Sequence, residues 1–481
     1  MKNRKKSRLM LTSAAILLGA FLLSPFLGKA NPAAALSVAA APSPFTLYLP
    51  LVMRNFPLQT VFGAGMDHLT SGGGLDQMAA ANISWTRPSG VLWSSVESTP
   101  GTYNWSVLAG LETELQNASS KGIQVVLIVH STPEWARKIA GSGPTCGPIS
   151  ESALPTFASF MGALVARYSV PPYNVKYWEL WNEPDIDPSF VTSDSGYGCW
   201  GDPNDSYYGG GYYAEMLKAV YPQIKAADLH AQVLMGGLLL DCDPRPGAGC
   251  AVIGHDPKSS MFLEGILRNN GGSFFDGVSF HAYDSYYGQS GDYRNPNWQS
   301  AWNTTGPVLI AKTQFIQSLL SQYGVSGKFL MNTELAILCD SCSNDPTFET
   351  TKANYVVQAY AAAIAQGLRA NFWYSVLGWN NSGLLNADLS PRPAYTAFKF
   401  SRNALGDAAF VQEVTAYAGV KVYEFQRGDH RIWVLWSLDG NAHSINLSGA
   451  PLAAWDALGN SVTLAASMDV TLNPLYLEWN P

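Results

Sequence analysis

From residue 60 onward the chain repeats one rhythm. A short apolar, β-like run is followed by a longer stretch with apolar positions at helical spacing. The runs predict eight strands: Val61–Met66, Ile83–Pro88, Gln124–His130, Val175–Trp181, Gln232–Leu239, Gly277–Tyr283, Lys328–Leu335 and Asn371–Leu377. Helices are predicted over Leu108–Ser120, Leu154–Tyr168, Tyr212–Ala227, Val308–Tyr323 and Thr351–Ala365. Strands that alternate with helices predict crossover units and a parallel sheet. Residues 59–404 therefore fit an α/β fold, the (β/α)8 or TIM barrel. An open doubly wound sheet competes, but it needs a glycine-rich phosphate loop after its first strand. Gly63-x-Gly65 has His68 where the third glycine belongs. Gly209-x-Gly211-x-x-Ala214 opens a helix but follows a polar loop, and reads as a flexible insertion.

After residue 404 the pattern changes. Val411–Phe425, Ile432–Ser437, Ser444–Leu447, Val462–Ala465 and Leu475–Trp479 alternate apolar and polar positions, with turn signals between them. Residues 405–481 predict a small C-terminal antiparallel β-domain, a sandwich. Its Trp433, Trp436 and Trp455 read as packing residues, with glycan binding as the alternative. At the other end, Lys2, Arg4, Lys5, Lys6 and Arg8 precede an apolar run from Leu9 to Leu27. Residues 1–30 read as a cleaved signal peptide, cut after Ala30 or further on after Ala40, which makes the protein secreted. An uncleaved anchor is less favoured, because Ser13, Ser24 and Pro25 weaken the run. Residues 31–58 are rich in Ala and Pro and read as a linker or N-terminal arm.

Composition narrows the chemistry. A net charge of −7 with no basic patch excludes nucleic acid as a partner. Aromatics at 12% are more than a core needs, and exposed rings suit flat partners such as sugar faces. The six cysteines are Cys146, Cys199, Cys242, Cys250, Cys339 and Cys342. An even number in an exported chain predicts disulfides, with Cys242–Cys250, Cys339–Cys342 and Cys146–Cys199 as the pairs. Zinc at Cys339-x-x-Cys342 is the alternative, but no second Cys pair or His pair accompanies it. There is no G-x-S-x-G, H-E-x-x-H or Walker A motif, and the seven His are scattered, so neither metal nor cofactor is expected.

What remains are carboxylates at strand ends. Trp181-Asn182-Glu183-Pro184 ends the fourth strand, where Pro184 stops the ladder. Barrel active sites lie at these C-terminal strand ends. An apolar wall there raises a carboxyl pKa, as a general acid requires, and Asn182 can donate to a substrate hydroxyl. Asn332-Thr333-Glu334 ends the seventh strand, and period-two alternation puts Asn332 and Glu334 on one face and Thr333 on the other. His281 and Tyr283 share a face of the sixth strand: Tyr283 can orient Glu334, and His281 can bind a sugar hydroxyl or the acid. Arg87 can pair with Glu334, or with Glu179 as a plain salt bridge. His130, Trp135 and Trp379 end strands or begin the loops after them, and Trp93 lies in the long loop after the second strand. Such rings stack on sugars, although each singly is as readily loop packing.

Together these residues resemble the clan A glycoside hydrolases. In that superfamily an Asn-Glu-Pro on strand four carries the acid/base and a Glu on strand seven is the nucleophile. The resemblance implies those roles for Glu183 and Glu334. An Arg late on strand two and a His-x-Tyr on strand six match Arg87 and His281-x-Tyr283. A Trp on strand eight matches Trp373, or Trp379 if that strand runs longer. The stretch Trp93 to Trp105 and the run Ser131 to Ala136 look closest to family 39, with families 5 and 30 as neighbours. The implied function is a retaining hydrolase of a β-linked glycan or glycoside, with carbohydrate as the partner. A non-catalytic carbohydrate-binding barrel and a transglycosylase are the alternatives.

Overall fold

The computed structural model describes residues 60–192, 196–253, 257–298, 300–301, 306–447 and 449–480. The signal peptide expected over 1–30 and the arm over 31–58 lie outside the described residues. Eight strands form a closed parallel ring: β1 (Phe62–Gly65), β2 (Trp85–Arg87), β3 (Gln124–His130), β4 (Tyr177–Asn182), β5 (Gln232–Leu238), β6 (Gly277–Tyr286), β7 (Phe329–Leu338) and β8 (Ala370–Trp373). Each strand pairs in parallel with the next, and β8 closes on β1. A helix follows each strand: α1 (Leu75–Ala80), α2 (Ala109–Ser120), α3 (Leu154–Tyr168), α4 (Gly210–Ala227), α5 (Phe262–Arg268), α6 (Leu309–Gln322), α7 (Pro346–Ala365) and α8 (Pro393–Leu405). The fold is a TIM barrel. Its lumen is packed by Trp85, Val126, Tyr177, Leu234, Met331, Ala370 and Phe372, side chains that close the bottom and leave polar residues for the mouth.

Three differences from the sequence reading have physical causes. β8 ends at Trp373 rather than Leu377, because past Val376, whose N still bonds Gly65 O of β1, the chain folds back on itself and Val376 O accepts from Leu384 N and Leu385 N. Gly209–Gly211 is no flexible insertion. A Cβ on Gly210 would stand 2.0 Å from Phe262 O, so glycine is what lets α4 approach α5. The register of β7 shifts between Asn332 and Glu334 against β6, and between Asn332 and Leu335 against β8. This irregularity breaks the expected alternation. Thr333 reaches Glu179 at 2.9 Å and Glu334 reaches Arg87 at 2.7 Å, so neighbours in sequence bond the same buried network.

The C-terminal strands are β9 (Ala409–Glu413), β10 (Val420–Arg427), β11 (His430–Ser437), β12 (His443–Asn446), β13 (Ala453–Trp455), β14 (Ser467–Val470) and β15 (Leu475–Trp479). They form a five-stranded antiparallel sheet and a two-stranded one, a sandwich. The run Val411–Phe425 breaks between β9 and β10, and Val462–Ala465 forms no strand; Ser467–Val470 pairs β12 instead. Alternate residues of the larger sheet face opposite cores. Val420, Val422, Trp433, Leu435, Leu475 and Leu477 face the small sandwich core. Tyr423, Phe425, Ile432, Val434, Trp436 and Tyr476 join the core of the barrel helices. Trp433 and Trp436 are buried, and Trp455 lies partly buried against Phe400 of α8. No helix among the described residues is long and apolar enough to cross a membrane. Disulfides join Cys146–Cys199, Cys242–Cys250 and Cys339–Cys342, the pairs expected.

Candidate active site

The ends of β2, β4, β6 and β7 bring Arg87, Glu183, His281, Tyr283 and Glu334 together. Arg87 lies at the centre, and its planar guanidinium makes three bonds. Nε donates to Glu179 at 2.5 Å, one terminal nitrogen to Glu334 at 2.7 Å and the other to Asn182 Oδ1 at 2.9 Å. Burial opposes its charge, but Glu179 and Glu334 outweigh that and raise its pKa further. Both of the partners considered for Arg87 are therefore real. Glu179 is fully buried, and its other oxygen accepts from Thr333. A charge inside an apolar strand needs such partners, and that was the signal in the sequence for its place in the network.

The two strand-end carboxylates have different surroundings. Glu334 accepts from Arg87 on one oxygen and from the Tyr283 hydroxyl on the other. Glu183 has no guanidinium contact among the described residues. Its Oε1 lies 2.8 Å from His281 Nδ1, and burial pushes its pKa up to about 7. The backbone bends to present it: Trp181 and Glu183 both have positive φ, 78° and 43°, rare for residues with side chains. Pro184 ends the ladder, and Glu183 N bonds Gly237 O at 3.0 Å.

His281 is fully buried and stands between the acids, with Nδ1 also 3.4 Å from Glu334 Oε2. Burial drops its pKa to about 4, so it is neutral at ordinary pH. Nε2 has no hydrogen-bond partner among the described residues. An orphan N–H costs more than an orphan lone pair, which assigns the ring proton to Nδ1. A Cβ on Gly237 would meet Nε2 at 2.2 Å, so β5 carries glycine there to admit the ring. From behind, Lys312 of α6 donates to Leu239 O at 2.6 Å and His281 O at 2.8 Å. Asp185 accepts from Leu239 N and Leu240 N at 2.9 and 2.7 Å.

The remaining expected residues divide. His130 ends β3 but bonds Ser131 Oγ at 2.8 Å, and burial lowers its pKa to about 4. Trp135 packs edge-on against buried Trp93 at 5.5 Å and donates to Glu97 O at 3.2 Å, so its ring braces the loops. Trp373 is fully buried and donates to Ser382 O at 2.9 Å, so no sugar can stack on it. Trp379 is 52% exposed, 6.2 Å from the Tyr283 ring. Tyr374, unnoticed in the sequence beside Trp373, is 6.4 Å from Tyr283. Tyr197, in the loop after β4, is also unmarked in the sequence; the charge of Glu183, then burial and Glu334, raise its pKa, and no local pattern marks a ring that a long loop brings back.

Glu183, His281 and Glu334 each offer one ligand atom, all within 4.8 Å of one another. A divalent ion there would compete with the Arg87 guanidinium and the Tyr283 hydroxyl for Glu334. The donor set therefore fits a carboxylate pair better than a metal centre.

No family model matches the chain, and no curated protein matches it. Solved structures do. A family 39 glycoside hydrolase from the gut symbiont Bacteroides cellulosilyticus WH2 shares 18% identity, with TM-score 0.64 over 87% of this chain and 81% of its own. A GH30 endoxylanase from Clostridium papyrosolvens C71 shares 13% identity, with TM-score 0.58 over 88% of this chain and 97% of its own. A monomeric β-xylosidase from Caulobacter crescentus CB15 shares 15% identity, with TM-score 0.55 over 88% and 96%. At such identity the likeness is one of fold, and it carries the family 39 and family 30 names that the motifs resemble.

Proposed function

We propose that the protein is a retaining glycoside hydrolase acting on a β-linked glycan or glycoside, with Glu183 as acid/base and Glu334 as nucleophile. One observation carries the reading. The two carboxylates have oxygens within 4.8 Å of one another, yet one is held by Arg87 and Tyr283 and the other is desolvated with its pKa at about 7. Retaining enzymes set their carboxyl groups about 5–5.5 Å apart, whereas inverting ones need about 6.5–9.5 Å to admit a water. The fold neighbours being named as glycosidases supports the same reading.

The chemistry follows from the surroundings of each acid. An oxygen of Glu334 attacks the anomeric carbon, the bond to the leaving oxygen breaks, and Glu183 gives that oxygen its proton. A glycosyl ester on Glu334 results. Water then attacks the same carbon, Glu183 takes the water's proton, and the ester bond breaks with net retention. Neutral His281 donates to Glu183 in its ionised form, and Asn182, held by Arg87, faces the sugar. Export belongs to the same reading, because three disulfides suit an oxidising compartment.

Hydrolysis of a panel of aryl β-glycosides and β-glycans tests this. Glu334→Gln should abolish turnover. Glu183→Gln should lose most activity on poor leaving groups and less on good ones. Proton NMR of the first product should show the β anomer; an α anomer would refute the assignment.

A further inference from the structure

The loop that follows Glu183 returns to the site and brings an aromatic ring with it. Asn182 Nδ2 donates to Gly196 O at 3.3 Å, and Gly198 N donates to Glu183 O at 3.3 Å. Tyr197 thus stands between two bonds to the strand end that carries the acid. The approach is close: a Cβ on Gly198 would lie 2.3 Å from the Trp181 ring and 2.7 Å from Asn182 O. The next residue, Cys199, is disulfide-bonded to Cys146 in the loop after β3. Despite this anchoring, Tyr197 remains 37% exposed. On the other side, β8 is four strands from β4 in the ring of eight, so the two loops rise from opposite sides of the mouth. There Trp379 lies beside Tyr283, the residue bonded to Glu334. One exposed ring therefore belongs to the side of Glu183 and the other to the side of Glu334.

On the retaining-hydrolase reading above, we infer that Tyr197 forms the leaving-group subsite and selects leaving groups with a flat apolar face, such as a second pyranose or an aryl ring. The chemistry sets the direction. The bond from the anomeric carbon to the leaving oxygen breaks as Glu183 delivers its proton, so the departing group lies on Glu183's side. The sugar that stays on Glu334 lies on the other. A ring carried on a backbone that is tied on both sides by hydrogen bonds and a disulfide costs less to order when a partner stacks on it.

The test compares kcat/KM for wild type, Tyr197→Ala and Tyr197→Phe on paired substrates. 4-Nitrophenyl β-xyloside is set against β-xylosyl fluoride, and the glucosyl pair is run in parallel; fluoride leaves without a ring. Tyr197→Ala should lower kcat/KM on the aryl glycoside about 3- to 10-fold and leave the fluoride unchanged. Tyr197→Phe should restore the aryl rate. Equal losses on both substrates would make Tyr197 a structural residue and overturn the inference while leaving the hydrolase intact. A Phe variant as poor as Ala would assign the effect to the hydroxyl and overturn it too. Wild type inactive on these substrates and across the wider panel of aryl β-glycosides and β-glycans would overturn the hydrolase reading, and this inference with it.

Discussion

Glu183 keeps its proton to about pH 7 because burial removes the water that would stabilise its charge. As the acid we propose for the first step, it must be protonated, so kcat/KM should fall as pH rises through about 7. Stability should follow the same group. The folded carboxyl is protonated up to about 7, while the unfolded one ionises near the ordinary 4.5. Between these values the folded state binds more protons, so stability declines as pH rises. Glu183→Gln removes that penalty and should stabilise the protein at pH 8 by on the order of 1–3 kcal/mol, with little effect at pH 4. Thermal melts at both pH values and a pH–rate profile check this; an alkaline limb flat to pH 9 would remove Glu183 from the acid's role. The place of Glu183, Glu334 and Arg87 at the barrel mouth was legible in the sequence because charges at the ends of apolar strands need a reason. The side on which Thr333 falls was not, because the register shift in β7 arises from its neighbours and leaves no mark on the alternation.

Elements were readable where periodicity ran long. Gln124–His130 and Leu154–Tyr168 match β3 and α3 residue for residue. β8 was overextended, since Val376 and Leu377 are apolar but belong to the loop leaving the barrel. Exposure of Leu377 could not be read from its type. The two glycines of β5 carried no functional reading, yet Gly237 opens the space for His281. Gly237→Ala would place a methyl 2.2 Å from Nε2, and Lys312, bonded to the His281 carbonyl at 2.8 Å, ties the backbone that carries the ring. The variant should lose about 1–3 kcal/mol of stability from overpacking. Displacing His281 from Glu183 should also cut kcat/KM roughly 10- to 100-fold. Wild-type kcat/KM in a folded Gly237→Ala protein would show that the contact of His281 with Glu183 does not matter.

At the scale of the whole molecule, the C-terminal sandwich is joined to the barrel through a sheet buried on both faces. Tyr476 bonds Ser401 at 2.7 Å and stacks edge-on against Phe400 at 5.0 Å, while Arg427 donates to the last carbonyls of α8, Asn403 O at 2.8 Å and Ala404 O at 3.0 Å. Asn354 of α7 bonds Asn473 at 2.8 Å. Tyr423, Phe425, Ile432, Val434, Trp436 and Tyr476 therefore cover apolar surface of α7 and α8 that would otherwise meet water. Each such side chain is worth about 1.5–3 kcal/mol when fully buried, and a domain's whole margin is about 5–15 kcal/mol. Removing residues 406–481 should thus leave a barrel that aggregates or melts far below the intact chain. The intact chain, sharing one core, should unfold in a single calorimetric transition. A soluble 60–405 fragment with an unchanged melting temperature would show that the interface contributes nothing to the barrel. The buried tryptophans of the sandwich would then need another purpose.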